Sequence, residues 1–341
     1  MWDGCAVPTI KPPHLVVEYR GPASAICTTN QSVDNMNWEA NAGVSRKIDE
    51  QSMVWSVSSI PWAVGNGVQC YTETDIQQCV QHLPITIYKI PDSVILSRNE
   101  SGPLKENREY TLRCEVESVA PVENLHIIWY RGDTVMATST NQSLFSTVAM
   151  GFGPDDKSQD VTASLTITAS RKHPNATYSC AARLNLNATV ESSCNNETCT
   201  YTTEAIDDTK SNDMQLKVWY KPRMLNVTGN VTAKAGDKLM LACRANANPT
   251  PSYQWKHNGA ALANQKSNTL QLDAIGEANG GVYECTATNT QGEGSARITV
   301  TVETQESGTT LPSIVQQMEL LCPLLPTSFA RPEGHSRNQA Q

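Results

Sequence analysis

The sequence predicts an all-β chain folded as three two-sheet sandwiches in tandem, and three observations predict it. A Cys, a Trp 11 to 15 residues later and a distant second Cys recur in that order as Cys27–Trp38–Cys70, Cys114–Trp129–Cys180 and Cys243–Trp255–Cys285. Stretches such as KLMLACRA and ARITVTVE alternate apolar and polar residues, the period of a strand with one face buried, and no stretch carries a convincing helical period. With 39% apolar and 6% aromatic residues and three Phe, the composition suits several thin cores better than one large one. At 341 residues the chain is also too long for one ordinary domain.

The Cys–Trp–Cys order is the one an immunoglobulin-like sandwich requires. A disulfide joins strands B and F across the two sheets, and a Trp from strand C packs on that bridge. The fold class is therefore three tandem immunoglobulin-like β-sandwiches followed by a disordered C-terminal tail. In the third segment, EANGGVYEC places Tyr283 two residues before Cys285, the position of a tyrosine corner whose hydroxyl ties the turn to upstream backbone. Asn279 stands where such domains usually carry Asp, so a neutral contact is expected to hold that turn. RKHPNATYSC repeats the corner with Tyr178, whereas the first segment has Val68 in the corresponding place and is the divergent one. TIYKIPDSV and VWYKPRMLN both run from an outgoing strand into Lys and Pro, which marks two short junctions with little free swing. The divisions are 1–88, 89–221 and 222–303, with the Ser-, Thr-, Gln- and Pro-containing stretch 304–341 as the tail.

Cysteine and sequon counts set the compartment. The chain has 11 Cys, mostly at long spacings, and eight N-x-Ser/Thr triplets at Asn30, Asn99, Asn141, Asn175, Asn187, Asn196, Asn226 and Asn230. Together they point to the oxidising secretory route and an extracellular address. The sheet-to-sheet bridges are expected to be Cys27–Cys70, Cys114–Cys180 and Cys243–Cys285. Closing a loop of about 43 residues restricts the unfolded chain by roughly 4 kcal/mol in the entropy model. Cys5 and Cys79 remain to tie the first strand to the last loop of the first segment. Cys194 and Cys199 frame CNNETC, a local clip or, alternatively, half of a metal site for which no second ligand pair lies nearby. Cys322 is left over in the tail, where it is free, links two chains or marks foreign sequence. Neither MWDGCAVPTIKPP nor LPSIVQQMELLCPLLP reads as an export signal or a membrane span. The expectation is a fragment, a mature ectodomain or an alternatively ended product.

Nothing in the sequence specifies catalysis. The six His (His14, His82, His126, His173, His257 and His335) form no ligand pair, and no GxSxG, phosphate loop or dinucleotide fingerprint appears. A net charge of −8 makes nucleic acid a poor partner. No cofactor is expected, the chain is not expected to be an enzyme, and function should lie on a recognition surface.

Three stretches of the first segment, PPHLVVEYRGPASAICTTN, NMNWEANAG and VWSVSSIPW leading to QCY, resemble the amino-terminal domain of intercellular adhesion molecules. LPITIYKIPDSVILS with NREYTLRCEVESVAPVENLHIIWYRGD resembles the same family's second domain, most specifically in APVENLHIIWYRG. The likeness covers about residues 5–221, and the third segment is a generic I-set-like domain shared by many adhesion proteins. The resemblance implies a cell-surface adhesion receptor whose first domain binds leukocyte integrins. An acidic residue at the end of strand C then completes a Mg²⁺ site held by the integrin. The matching residue is Glu39, one after Trp38. An exposed carboxylate on a rigid strand is a hard oxygen ligand of the kind Mg²⁺ takes. Ala40 follows it where the family often has Thr, which removes a supporting hydroxyl. Trp55 and Trp62 are expected in the core or at the domain's end. Adhesion between immunoglobulin domains, independent of metal, and a soluble decoy are the alternative functions.

Overall fold

In the computed structural model, residues 6–304 are described apart from 66, 76, 141–144, 150–156, 187–189, 196–197, 203–205 and 207. They form β-sandwiches of the immunoglobulin type, with short 3₁₀ turns, and no described helix is long and apolar enough to cross a membrane.

The first sandwich uses β1 (Thr9–Lys11), β2 (Leu15–Glu18), β3 (Ala23–Thr28), β4 (Asn35–Glu39), β5 (Val44–Asp49), β6 (Ser52–Val57), β7 (Gln69–Glu73), β8 (Gln78–His82) and β9 (Ile85–Tyr88). One sheet runs β1-β3-β6-β5 and the other β4-β7-β8, while β2 pairs with β9 in parallel. The second sandwich uses β10 (Ser93–Arg98), β11 (Leu104–Lys105), β12 (Glu109–Val119), β13 (Leu125–Arg131), β14 (Thr134–Ser139), β15 (Phe145–Ala149), β16 (Gln159–Thr168) and β17 (Asn175–Leu184). A hairpin of β18 (Val190–Asn195) and β19 (Thr198–Thr202) follows, then β20 (Thr209–Lys210) and β21 (Met214–Val227). Its sheets are β10-β12-β16-β15 and β14-β13-β17-β21. The third adds β22 (Val231–Lys234), β23 (Leu239–Asn248), β24 (Ser252–His257), β25 (Ala260–Ala261), β26 (Thr269–Leu272), β27 (Gly281–Asn289) and β28 (Gly292–Glu303). Here β21 continues into β23 and β26, opposite β22-β28-β27-β24-β25. The 14-residue β21 therefore closes the second sandwich with its first half and opens the third with its second.

Strict alternation builds each core. In β12, Tyr110, Leu112, Cys114 and Val116 point inward while Glu109, Thr111 and Arg113 face solvent. Cys27 is joined to Cys70, Cys114 to Cys180 and Cys243 to Cys285, with Cα–Cα distances of 6.4, 6.3 and 6.5 Å. In all three sandwiches the Trp is the direct register partner of the second Cys: Trp38 of Cys70, Trp129 of Cys180 and Trp255 of Cys285. Each is almost fully buried and its indole N–H is used. Trp38 Nε1 donates to the Met53 carbonyl at 3.2 Å, Trp129 Nε1 to Ser139 Oγ at 3.4 Å, and Trp255 Nε1 to the Ser267 carbonyl at 2.9 Å. A buried indole with its N–H paired adds apolar area at no polar cost.

The tyrosine corner of the third sandwich is formed by Tyr283 Oη donating to the Asn279 carbonyl at 2.9 Å. Burial raises the Tyr283 hydroxyl's pKa, and the bond to Asn279 partly offsets this. Asn279 Oδ1 accepts from the Gly276 N–H at 2.8 Å, a neutral contact where a carboxylate is usual. In the first sandwich Val68 is fully buried in the corner's place.

Trp55 is 1% and Trp62 5% exposed, and both belong to the first core. Cys79 is buried and disulfide-bonded; Cys5, its expected partner, lies outside the described residues. Cys194 and Cys199 are direct Cα partners across the β18–β19 hairpin, but their side chains are outside the described set. So are Asn141, Asn187, Asn196, Cys322 and the tail beyond residue 304.

Candidate recognition face of the first sandwich

Period-two alternation decides what β4 offers to solvent. Met36 and Trp38 are buried, so Asn35, Asn37 and Glu39 emerge on the other side. On β7, Cys70 and Thr72 turn inward, and on β8 Cys79 does. Register then fixes three outward rows: Asn35–Glu73–Gln78, Asn37–Tyr71–Val80 and Glu39–Gln69–His82. Among the described residues no group of three or more His, Cys, Asp or Glu stands together to hold a metal.

Glu39 is the last residue of β4, exposed, and held on one oxygen. Gln69 Nε2 donates to Glu39 Oε2 at 2.7 Å, leaving Oε1 open. No described Lys, Arg or His forms an ion pair with it. The chain after Glu39 is braced from the core. Trp55 Nε1 donates to the Ala42 carbonyl at 2.9 Å, and Ala40 and Ala42 pack on the first core. Gly43 takes φ +97°, and a Cβ there would stand 2.5 Å from Trp55 Nε1. Only glycine fits that turn without displacing the tryptophan. Trp55 is thus both a core residue and the support of the turn following the carboxylate.

Asn30, Asn99, Asn175, Asn226 and Asn230 are exposed, as a glycan acceptor must be. Asn30 follows β3, and no sequon falls on β4, β7 or β8, so the face carrying Glu39 has no acceptor of its own. Sequence reading singled out Glu39 but missed Gln69, Tyr71, Val80 and His82. Their only signal was the alternation within QCYTE and QCVQH; which residues stand beside Glu39 depends on inter-strand register.

Comparison with known proteins finds an immunoglobulin-domain match in the third sandwich and similarity to adhesion proteins. Residues 221–289 match the family model described as "Immunoglobulin domain". Over 213 residues the chain is 27% identical to Cell adhesion molecule 3 of Xenopus laevis, covering 61% of this chain and 47% of that protein. It is 35% identical over 94 residues to Peroxidasin of Drosophila melanogaster, covering 25% of this chain and 6% of that one. The chain therefore spans less than half the length of these relatives. The mouse nectin-like molecule 4 ectodomain (Ig1-Ig3) superposes with a TM-score of 0.52 at 17% identity, over 86% of this chain and 98% of that one. That likeness is one of fold.

Proposed function

We propose that this chain is part of a cell-surface adhesion receptor, displayed outside the cell, that recognises partners and catalyses nothing. Its working units are residues 1–88, 89–221 and 222–303, and the first carries the partner site. Glu39 there binds a divalent cation held by a leukocyte-type integrin on another cell. The observation that carries this reading is the state of Glu39. It is exposed at a strand end, oriented through Oε2 by Gln69, and free of any described cation, so Oε1 is available as a hard oxygen ligand. The resemblance of residues 5–221 to intercellular adhesion molecules supports it, as does the likeness to a protein named as a cell adhesion molecule. The bridges Cys5–Cys79 and Cys194–Cys199 and glycans on the eight sequons belong to the same reading.

The test is binding of the full chain to a panel of leukocyte integrins in Mg²⁺ and in EDTA. Glu39→Gln should weaken Mg²⁺-dependent binding by at least about thirtyfold, the scale of losing one partner of a desolvated charged contact. Its melting temperature should stay unchanged, because Glu39 is exposed. Undiminished binding by this variant would remove the carboxylate from the metal site.

A second reading agrees equally well with similarity to a protein named as a cell adhesion molecule: metal-independent adhesion between immunoglobulin domains. Bead aggregation that persists in EDTA distinguishes it, since the cation-dependent contact must then fail.

A further inference from the structure

The first sandwich turns two outward sheet faces to solvent, and their patterns are complementary. On the β4–β7–β8 face, Tyr71 and Val80 form the apolar middle, with Val80 41% exposed. Glu39 and Glu73 flank that middle from the rows on either side. Glu73 lies four positions along β7 from Gln69, the partner of Glu39. At about 3.4 Å per residue and 4.8 Å per strand, the two acidic positions are about 14 Å apart.

The β1–β3–β6–β5 face inverts the signs. Register aligns Lys11, Ile26, Val54 and Arg46 in one cross-strand row. All four line one shallow depression of about 510 Å³, beside Ile48, which is 51% exposed. Three strand spacings put Lys11 and Arg46 about 14 Å apart as well. Asp49 is a carboxylate on this depression's rim. Hydrogen bonds from Ser52 and then Gln51, in its own turn, hold its acid below the ordinary range.

We propose that the β4–β7–β8 face of one copy docks into the β1–β3–β6–β5 depression of a second copy. Tyr71 and Val80 cover Ile26 and Val54, and Glu39 and Glu73 meet the two basic residues. Laying the acidic diagonal along the basic row crosses the strands of the two sheets near a right angle, an established sheet-packing class. Because the surfaces differ, the contact is heterologous and adds copies head to tail instead of closing a pair. Exposed ion pairs contribute little each, so the contact is weak in solution and gains from crowding on a surface. It does not rest on the metal-ligand reading, though the two partners compete for Glu39.

Sedimentation equilibrium of the full chain, with and without EDTA, tests this. Wild type should self-associate equally in both buffers. Arg46→Glu spoils the depression and Glu73→Lys the opposite face while leaving Glu39 intact. Each should weaken self-association at least about tenfold through like-charge contact. Mixing the two variants should restore association, because one contact is then native and the other has its charge pair reversed, so the two variants add by alternation. The double variant Arg46→Glu/Glu73→Lys should recover self-association. Lys11→Glu replaces Arg46→Glu if that variant fails to melt like wild type. A wild-type chain that stays monomeric to about 1 mM, association lost in EDTA, unaffected single variants, or a mixture and double variant that both fail to recover would each overturn the proposal. Integrin binding by Glu73→Lys in Mg²⁺ reads the metal-ligand hypothesis separately.

Discussion

The two junctions between sandwiches solve one problem with different chemistry. Between the first and second, the chain crosses at Lys89, whose backbone N–H and carbonyl both pair with Ala120 at 2.9 and 3.2 Å. Ala120 is only 2% exposed and belongs to the core of the first sandwich, although it stands in the second segment of the sequence. That junction is a shared apolar core fastened by backbone. Between the second and third, β21 passes through unbroken and the surroundings are polar. Arg171 donates from Nε and Nη2 to the two Glu106 oxygens at 2.5 and 2.6 Å, and its guanidinium lies 4.8 Å from the Tyr220 ring centroid. Tyr220 Oη donates to Asn246 Oδ1 at 2.9 Å, and Asn289 Nδ2 donates to the Tyr220 and Pro249 carbonyls at 2.9 Å. One junction is thus sensitive to what is buried, the other to what is charged.

The largest way to break the first junction is to put a charge into the shared core. Ala120→Asp should cost the first sandwich about 3 kcal/mol or more, because the carboxylate would be buried without a partner. Urea unfolding followed by Trp fluorescence reads this, since Trp38, Trp55 and Trp62 all sit in that core. A loss confined to the second sandwich would show that Ala120 serves only its own domain.

At the second junction the corresponding change removes a charge. The Arg171 and Glu106 side chains are 20% and 15% exposed, so Arg171→Leu leaves a largely buried carboxylate alone and should cost about 2–3 kcal/mol. Calorimetry should show the transitions of the second and third sandwiches moving apart. The pH dependence gives the sign. Hydrogen bonding to Arg171 lowers the Glu106 pKa from its ordinary 4.5, against burial, helped by the charges of Arg171 and Lys221. A depressed folded pKa means the stabilisation is complete above the ordinary value and is lost as pH falls through the lowered one. Wild type should therefore lose its advantage over Arg171→Leu in that acid window and keep it at neutral pH. An advantage independent of pH would mean the arginine acts by packing alone.

Much of this architecture was legible because it is written in short-range pattern. Cys–Trp–Cys spacing exposed the bridged cores, and Tyr283 two before Cys285 exposed the corner. Glu39 was singled out through the family resemblance, which matches it to the acidic residue at the end of strand C. The junction chemistry was not legible. Glu106 and Arg171 are 65 residues apart on different loops, and Ala120 is one alanine among many until the fold places it in a neighbour's core. Gln69 beside Glu39 and the row from Lys11 to Arg46 depend on strand register, which hydrophobic period alone does not number.

The smallest expected effect sharpens the contrast most. Lys89 has an ion pair of its own, with Nζ 2.6 Å from Asp92 Oδ2 and 2.5 Å from Ser118 Oγ. Its resemblance to the Arg171–Glu106 pair is superficial. Asp92 is 61% exposed, so water replaces the ammonium when it is removed, and no buried charge is stranded. The fastening of the junction lies in the Lys89 peptide groups and in Ala120, which a side-chain change leaves alone. Lys89→Met should therefore change the urea unfolding free energy of the first two sandwiches by less than about 1 kcal/mol. Half a molar of salt should reproduce most of that change in wild type, because an exposed pair is screened there. If Lys89→Met instead matched Arg171→Leu in cost, the first junction would also be an ionic clamp, and the division between a buried and a charged joint would fail.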